Sequence, residues 1–226
     1  MDIRDSKTVI WDLDGTLLNS FDLFVEITTA IFRRQGMPVP ARDVFLKHFH
    51  GTLEDTFRSL APSLNKAGLK ELTATFLIEQ NDHYATVEHH LYQDAVSLGR
   101  RLQAKGVRQL IVTNRAHTGR GNASPIHIVQ NSSLIDFIDH VVTGDDGVHR
   151  KPKPAVIDQF LRDGLVEPDS TTVIGDQFVD AEFAHNLQAR AILVDRTRTG
   201  IAHLDRISNG LAGRVAIVDS LDEVLS

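Results

Sequence analysis

The sequence predicts an α/β protein whose sheet is mainly parallel and is covered by helices on both faces. Short apolar, β-branched runs alternate with segments of helical spacing through most of the chain, and one long N-terminal stretch has helical spacing only. Strands that alternate with helices form βαβ units, which join into one doubly wound parallel sheet. A chain of 226 residues is long enough for such a core and a smaller companion domain.

Six apolar runs are the strand candidates. They cover residues 8–13, 107–113, 140–143, 171–174, 191–194 and 214–218. Between these runs, helical spacing predicts further helices. One segment is followed by glycine and another begins with proline and ends with glycine, residues that favour helix ends in these positions. These helices are predicted over residues 95–105, 154–164, 180–189 and 221–225.

Residues 20–90 differ from the rest because they contain no strand candidate. Helical spacing recurs there, and prolines separate the helical segments. The segments cover residues 21–35, 42–49, 53–60 and 66–90. We therefore predict a helical domain over residues 19–91, inserted after the first strand, and a core domain formed by residues 1–18 and 92–226.

Composition argues against several functional classes. The net charge of −6 is unsuited to general nucleic-acid binding, because phosphate backbones favour clustered Lys and Arg. The absence of cysteine excludes disulfides, thiolate catalysis and cysteine metal sites. Charges interrupt the N-terminal segment, so neither a signal peptide nor a membrane span is expected. We expect a cytoplasmic monomer or homodimer that binds neither nucleic acid nor membrane.

The side chains suited to catalysis follow the predicted strands. In open α/β sheets, ligands bind at the carboxyl ends of the strands, so these side chains should meet at one edge. They are Asp12 and Asp14 after the first strand, Thr113 and Asn114 after the second, Lys151 after the third, and Asp176 and Asp180 after the fourth.

Asp12 and Asp14 face the same side of an extended chain because they are two residues apart. Neighbouring carboxylates repel unless a cation lies between them or one of them is protonated. Both solutions suit phosphoryl transfer, since Mg²⁺ prefers oxygen ligands, an ionised carboxylate can attack phosphorus, and a protonated one can act as an acid. Gly15 permits a sharp turn beside a phosphate. An ordinary turn or helix cap is the structural alternative.

The other polar residues also have two interpretations. Asp176 can complete a metal site, and Asp180 can bond to a metal-bound water or to Lys151, although Asp180 also suits a helix cap. Thr113 and Asn114 offer a hydroxyl and an amide to phosphate oxygens. Lys151 is a cation in a proline-stiffened loop, and a solvated basic turn would have the same composition.

In order and spacing, these residues resemble the four motifs of the haloacid dehalogenase-like superfamily, in its phosphatase branch. The matching segments are D-L-D-G-T at 12–16, T-N at 113–114, K-P-K-P at 151–154, and G-D at 175–176 with a further Asp at 180. The resemblance implies a Rossmann-like core with a helical cap. It also implies a phosphoric monoester hydrolase that acts on a small phosphorylated metabolite.

The resemblance further implies the roles of the acidic residues. Asp12 would attack phosphorus and form an aspartyl-phosphate. Asp14 would protonate the leaving group and then activate water. Mg²⁺ would be held by Asp12, the backbone carbonyl of Asp14 and Asp176.

The remaining motif residues would bind the transferring phosphate. The resemblance assigns this contact to the Thr113 side chain, the Asn114 backbone and Lys151, which also neutralises charge on Asp12. Asp180 would support the metal shell or Lys151.

Residues 45–57 resemble the cap segment that faces the core in the phosphoglycolate phosphatase and β-phosphoglucomutase groups. Lys47, His48 and His50 are therefore candidate substrate contacts, with a solvated helix face as the alternative. Glu54 stands where a basic residue would help to hold a second phosphate, which disfavours a sugar-phosphate mutase.

Arg115 and His117 follow the second motif, and we expect one of them to contact the leaving portion of the substrate unless this segment is only a surface loop. Two other functions stay open on the same scaffold: a sugar-phosphate mutase and a non-catalytic binding module. Asp14 disfavours the dehalogenases and phosphonate hydrolases of the superfamily, because they lack a second acidic residue in the first motif.

Overall fold

The computed structural model describes residues 3–49, 52–196 and 214–225. The chain forms two compact units, Met1–Asn19 with Val87–Ser226 and Ser20–Thr86. We call the first the core unit and the second the helical unit.

The core unit contains a six-stranded parallel sheet. Its strands are β1 (Thr8–Trp11), β2 (Arg108–Val112), β3 (His140–Val142), β4 (Thr171–Gly175), β5 (Arg190–Val194) and β6 (Val215–Val218). Within the described residues, their order is β3-β2-β1-β4-β5-β6, and every neighbouring pair is parallel. The predicted parallel α/β fold is therefore confirmed. Strand β1 ends two residues before its predicted run, and the ends of the other strands differ from the prediction by at most one residue.

Eight α-helices are described. The helical unit contains α1 (Ser20–Arg34), α2 (Arg42–His48), α3 (Leu53–Leu60) and α4 (Lys66–His83), and the core unit contains α5 (Gln93–Ala104), α6 (Pro125–Gln130), α7 (Asp158–Arg162) and α8 (Phe178–Leu187). Short 3₁₀ helices cover Ile3–Asp5, Tyr84–His90, Gly121–Ala123, Ser133–Asp136, Pro154–Ile157, Pro168–Ser170 and Leu221–Leu225. Each of these helices is too short or too polar to span a lipid bilayer.

Three predicted helices take a different form. The segment predicted at 66–90 is α-helical only to His83, and Thr86 has non-helical φ and ψ angles of −122° and 47°. The Thr86 hydroxyl donates to the His83 carbonyl at 3.3 Å, a local bond that competes with the helical pattern. Residues 154–157 and 221–225 are 3₁₀ rather than α-helical.

Strand β1 is the centre of the sheet and is buried along its whole length. Ile10 pairs in register with Leu110 of β2 on one side and with Val173 of β4 on the other. These side chains pack with Phe183 of α8 and Ala191 of β5 in one apolar cluster. Helices cover both faces, which explains why the strands are apolar throughout instead of alternating.

The strand order reverses at β1, because the chain adds β2 on one side of it and later β4 on the other. In open α/β sheets, a crevice forms outside the carboxyl ends of the strands at such a reversal. The loops after β1, β2 and β4 therefore meet at the position where a ligand site is expected.

Two segments of the core unit, just before Ser20 and just after Thr86, pair with each other. Leu18 and Leu91 form an antiparallel bridge, and the Asn19 amide donates to the His90 carbonyl at 2.8 Å. The Tyr92 amide donates to the Leu17 carbonyl at 2.9 Å. These bonds fix the end of the loop that carries Asp12 and Asp14.

The helical unit is organised around Phe24 on α1. Its ring centroid lies 4.9–6.0 Å from the centroids of Phe45, Phe49, Phe57 and Phe76, distances at which aromatic pairs attract each other beyond simple burial. Phe24 is only 2% exposed, so this ring joins α1 to the other helices of the unit.

We predict that Phe24→Ala lowers the free energy of unfolding by about 3–5 kcal/mol, because it removes these contacts and leaves a cavity. Urea unfolding followed by circular dichroism measures the loss. Ile78→Ala on α4 is the control, since Ile78 is 65% exposed and its truncation should change stability by no more than about 0.5 kcal/mol. Equal effects of the two substitutions would contradict this account of the helical unit.

Candidate active site

Lys151 is buried between two carboxylates, Asp12 just after β1 and Asp180 in the first turn of α8. Its Nζ donates to Asp12 Oδ1 at 2.6 Å and to Asp180 Oδ1 at 2.7 Å, and its side chain is 3% exposed. Burial alone would lower the pKa of Lys151, but the attraction of Asp12 and Asp180 outweighs it and raises the pKa above its ordinary value. Lys151 is therefore a fixed positive charge at the carboxyl edge of the sheet.

Asp12 follows β1 directly and is 8% exposed. Burial raises the pKa of its carboxyl group to about 7, with Asp180 and Asp14 adding to the rise and Lys151 opposing it. One lysine does not fully compensate the negative charge around Asp12, so a further cation bound nearby would favour the ionised form of its carboxyl group.

Asp176, after β4, carries a buried oxygen that has no hydrogen-bond partner among the described residues, Oδ1. Burial raises the pKa of Asp176 well above its ordinary value, and the nearby charges of Asp12 and Asp180 raise it further. Carboxylate oxygens of these three residues lie within 4.8 Å of one another. A buried, unsatisfied acceptor costs free energy, which a cation bound here would recover.

Gly15 is what allows Asp176 to lie against the loop after β1. A Cβ atom at position 15 would lie 2.1 Å from Asp176 Oδ2, and the residue has a φ of +79°. The contact and the left-handed backbone both require glycine. Oxygen donors clustered in this way fit a hard divalent cation such as Mg²⁺.

Asn114, after β2, holds the backbone of Lys151. Its Oδ1 accepts from the Lys151 amide at 3.0 Å, and its Nδ2 donates to the Lys151 carbonyl at 3.2 Å. Beside it, the buried Thr113 hydroxyl accepts from the Arg115 amide at 3.1 Å. The side chain of Asn114 thus orients the loop of Lys151, a contact that the sequence pattern did not indicate.

Arg115 and Asp14 form a two-pronged ion pair. Arg115 Nε donates to Asp14 Oδ2 at 2.9 Å, and Nη2 donates to Asp14 Oδ1. The two side chains are 12% and 31% exposed. The structure therefore brings Arg115 to the first motif, while its predicted contact with the substrate stays a prediction.

Asp145 fixes the segment after Arg115 and was missed by the sequence analysis. Its carboxylate accepts from the amides of His117 at 2.7 Å and Thr118 at 2.9 Å, and from the Thr143 hydroxyl at 2.9 Å. Hydrogen bonds from the Thr118 side chain and from these two amides hold the pKa of Asp145 far below its usual range. Its position after β3, in T-G-D-D, was the available signal.

Two of the three candidate substrate contacts in the helical unit lie within the described residues. Lys47 lies exposed on α2 and His48 is half-buried at the end of that helix. His50 lies outside the described residues. Their contacts with a substrate stay predictions.

The sequence profile of the haloacid dehalogenase-like hydrolases matches residues 9–194. The chain belongs to this family. The family predicted from the motifs is thereby confirmed, as is the prediction of a hydrolytic enzyme.

Known relatives and structures agree with the family. Pyrophosphatase PpaX of Bacillus cereus is 26% identical over 199 residues, which are 88% of each chain. A predicted phosphoglycolate phosphatase from Haemophilus somnus has a TM-score of 0.74 at 17% identity, over 98% of this chain and 97% of that one. A mutant CbbY from Rhodobacter sphaeroides, in complex with xylulose-(1,5)bisphosphate, has a TM-score of 0.65 at 16% identity, over 96% of both chains. The structural likenesses show the shared fold.

We predict that Lys151→Met destabilises the protein by about 3–5 kcal/mol at about pH 8 without divalent cations, because Asp12 and Asp180 are left buried without their cation. Adding Asp180→Asn should recover part of this loss, since it removes one of the two carboxylates and keeps an oxygen for the Gln177 amide. Urea unfolding measures both. A double variant no more stable than Lys151→Met would contradict the charge balance inferred here.

Proposed function

We propose that this hydrolase is a Mg²⁺-dependent phosphatase that cleaves a small phosphorylated metabolite through an aspartyl-phosphate on Asp12. The observation that carries the proposal is the arrangement of Asp12, which bonds to the buried Lys151 and has a carboxylate oxygen within 4.8 Å of one of Asp176. A nucleophile, a fixed cation and a set of oxygen donors are thus joined at one strand edge.

Charge neutralisation is the main physical requirement of the reaction. An anionic carboxylate must approach an anionic phosphoryl group, and their repulsion has to be offset first. Lys151 supplies one positive charge within 2.6 Å of Asp12. The same charge can attract the phosphoryl oxygens, which supports its proposed role as a phosphate ligand.

A metal ion would supply the rest of the neutralisation. Asp12 and Asp176, with the backbone carbonyl of Asp14, are the proposed ligands, and Asp180 holds Lys151 beside them. When bound there, Mg²⁺ would withdraw charge from the phosphoryl oxygens. The clustered oxygens support this assignment, as does Asp176 Oδ1, which is buried and has no hydrogen-bond partner in the part of the chain that the structure describes.

The chain's own residues divide the remaining work. An Asp12 oxygen forms a bond to phosphorus as the bond from phosphorus to the leaving oxygen breaks. Asp14 gives a proton to that oxygen and later takes one from the attacking water, which releases phosphate and regenerates Asp12. The Thr113 hydroxyl and the backbone N–H of Asn114 are proposed to hold the phosphoryl group.

A phosphate assay on a panel of small phosphomonoesters, with and without Mg²⁺, tests the proposal. Inorganic pyrophosphate belongs in the panel because the curated relative PpaX is a pyrophosphatase. Asp12→Asn should lower kcat by on the order of 10³-fold or more, about 4 kcal/mol of transition-state stabilisation. Turnover that survives in this variant would overturn the role of Asp12, and turnover independent of divalent ions would overturn that of Mg²⁺.

We also predict that Mg²⁺ raises the Tm of the protein more at about pH 8 than at about pH 5. The pKa of Asp12 is about 7 in the fold, above the ordinary value of about 3.9 expected in the unfolded chain. Its contribution to metal-free stability is therefore complete below about pH 4 and is lost as the pH rises through about 7. A bound cation favours the ionised form and offsets that loss.

Thermal unfolding at the two pH values, with and without Mg²⁺, measures this difference. Asp176→Asn is the matched control, because it removes one proposed ligand charge while conserving shape and should reduce the Mg²⁺ effect. A Tm increase that is the same at both pH values, or unchanged in Asp176→Asn, would count against the proposed metal site.

A further inference from the structure

Every nitrogen atom of Arg115 and its carbonyl oxygen take part in a hydrogen bond. Its Nη1 donates to the Ala123 carbonyl at 3.1 Å, while Nε and Nη2 donate to the two oxygens of Asp14. Its amide donates to the Thr113 hydroxyl, and its carbonyl accepts from the Gly144 amide at 2.8 Å. The guanidinium group is therefore a fixed element of the site.

Gly144 and Asp145 explain why the loop keeps this position. A Cβ atom at position 144 would lie 2.2 Å from the Asn114 carbonyl oxygen, so only glycine lets the loop after β3 come so close. Asp145 then accepts from the amides of His117 and Thr118. The segment that carries Arg115 is thus anchored on both sides of the residue.

We propose that Arg115 is a positioning residue that acts through Asp14: it fixes the direction of the carboxyl group that exchanges protons during phosphate-ester hydrolysis. The proposal rests on the proposed function. Asp14 is 31% exposed, and without its two hydrogen bonds from Arg115 the carboxyl group could rotate among several directions. A bidentate guanidinium–carboxylate pair restricts that rotation more strongly than a single contact does.

The pairing is compatible with proton transfer. Each carboxyl oxygen has two lone-pair sites, and Arg115 engages each oxygen once, so a site remains for the transferred proton. In the first half-reaction, this proton passes to the leaving oxygen as its bond to phosphorus breaks and the bond from Asp12 forms. In the second, Asp14 takes a proton from water as the water oxygen bonds to phosphorus and the bond to Asp12 breaks.

The sequence suggested instead that Arg115 contacts the leaving portion of the substrate. The two roles differ in what they make sensitive to substitution. A substrate contact contributes to binding and raises KM when removed. A positioning role contributes to departure of the leaving group only when the leaving oxygen needs a proton, so its loss lowers kcat/KM for esters with strongly basic leaving groups. The loss also slows hydrolysis of the aspartyl-phosphate, a step that all esters share and that enters kcat.

The test compares two phosphate esters in Arg115→Ala, neither of which carries a charge outside its phosphate. The leaving group of p-nitrophenyl phosphate needs little protonation, whereas that of an alkyl phosphate needs it. We expect kcat/KM, which covers the steps up to departure of the leaving group, to fall on the order of 10²-fold for the alkyl ester and less than about 10-fold for the nitrophenyl ester. Arg115→Lys should cause an intermediate loss, because lysine keeps the positive charge but cannot make the bidentate contact.

A double-mutant cycle shows whether the effect passes through Asp14. In the Asp14→Asn background, Arg115→Ala should cause little further loss on the alkyl ester, since the group that it positions can no longer transfer protons. Equal losses of kcat/KM on both esters, a rise in KM alone, or independent losses in the cycle would overturn the proposal.

Arg108→Ala is the matched control. Arg108 is half-buried and donates to the Leu165 carbonyl at 2.6 Å, but it lies at the start of β2, at the opposite edge of the sheet. It should leave the ratio of the two kcat/KM values unchanged, and a Tm measurement on each variant checks folding. A wild-type chain that releases no phosphate from any ester would overturn the proposed function as well, whereas failure of the leaving-group pattern alone would overturn only the role of Arg115.

Discussion

The ammonium group of Lys151, buried between Asp12 and Asp180, is the interaction on which the rest of the site depends. Burying three charged groups has a high desolvation cost, which is recovered only when the geometry is good and the remaining atoms are hydrogen-bonded. That condition explains the contacts around it: Asn114 fixes the Lys151 backbone, and the second Asp180 oxygen accepts from the Gln177 amide. The net negative charge that remains around Asp12 is what suits the site to a metal ion.

The parallel sheet brings these groups together without any sequence proximity. Asp12 and Lys151 are 139 residues apart, yet both follow strands whose carboxyl ends lie at one edge. Strand β1 stands where the strand order reverses, so the loop with Asp12 and Asp14 meets the loops after β2 and β4. The two carboxylates of the first motif form ion pairs with different basic side chains, Asp12 with Lys151 and Asp14 with Arg115.

The sequence predicted the parallel sheet and its strands because buried strands are continuous apolar runs, a signal that survives in a single chain. It could not predict the ion pair of Arg115, the bonds of Asn114 to Lys151, or the anchoring by Asp145, since these depend on how loops after different strands meet. Helix ends were also difficult, as at Thr86, where a side chain takes a carbonyl that the α-helix would have used. The roles of the motif residues rest on resemblance and chemistry.

The bridge between Leu18 and Leu91 has a consequence for how such a chain can evolve. The segments that leave the core unit and return to it are already paired with each other. The entropy of closing the loop between them depends only weakly on its length. Insertions between neighbouring chain ends are well tolerated by compact domains. The helical unit is thus attached as a replaceable module, so an ancestral core could exchange it for another insert while the residues gathered at the strand ends stay in place.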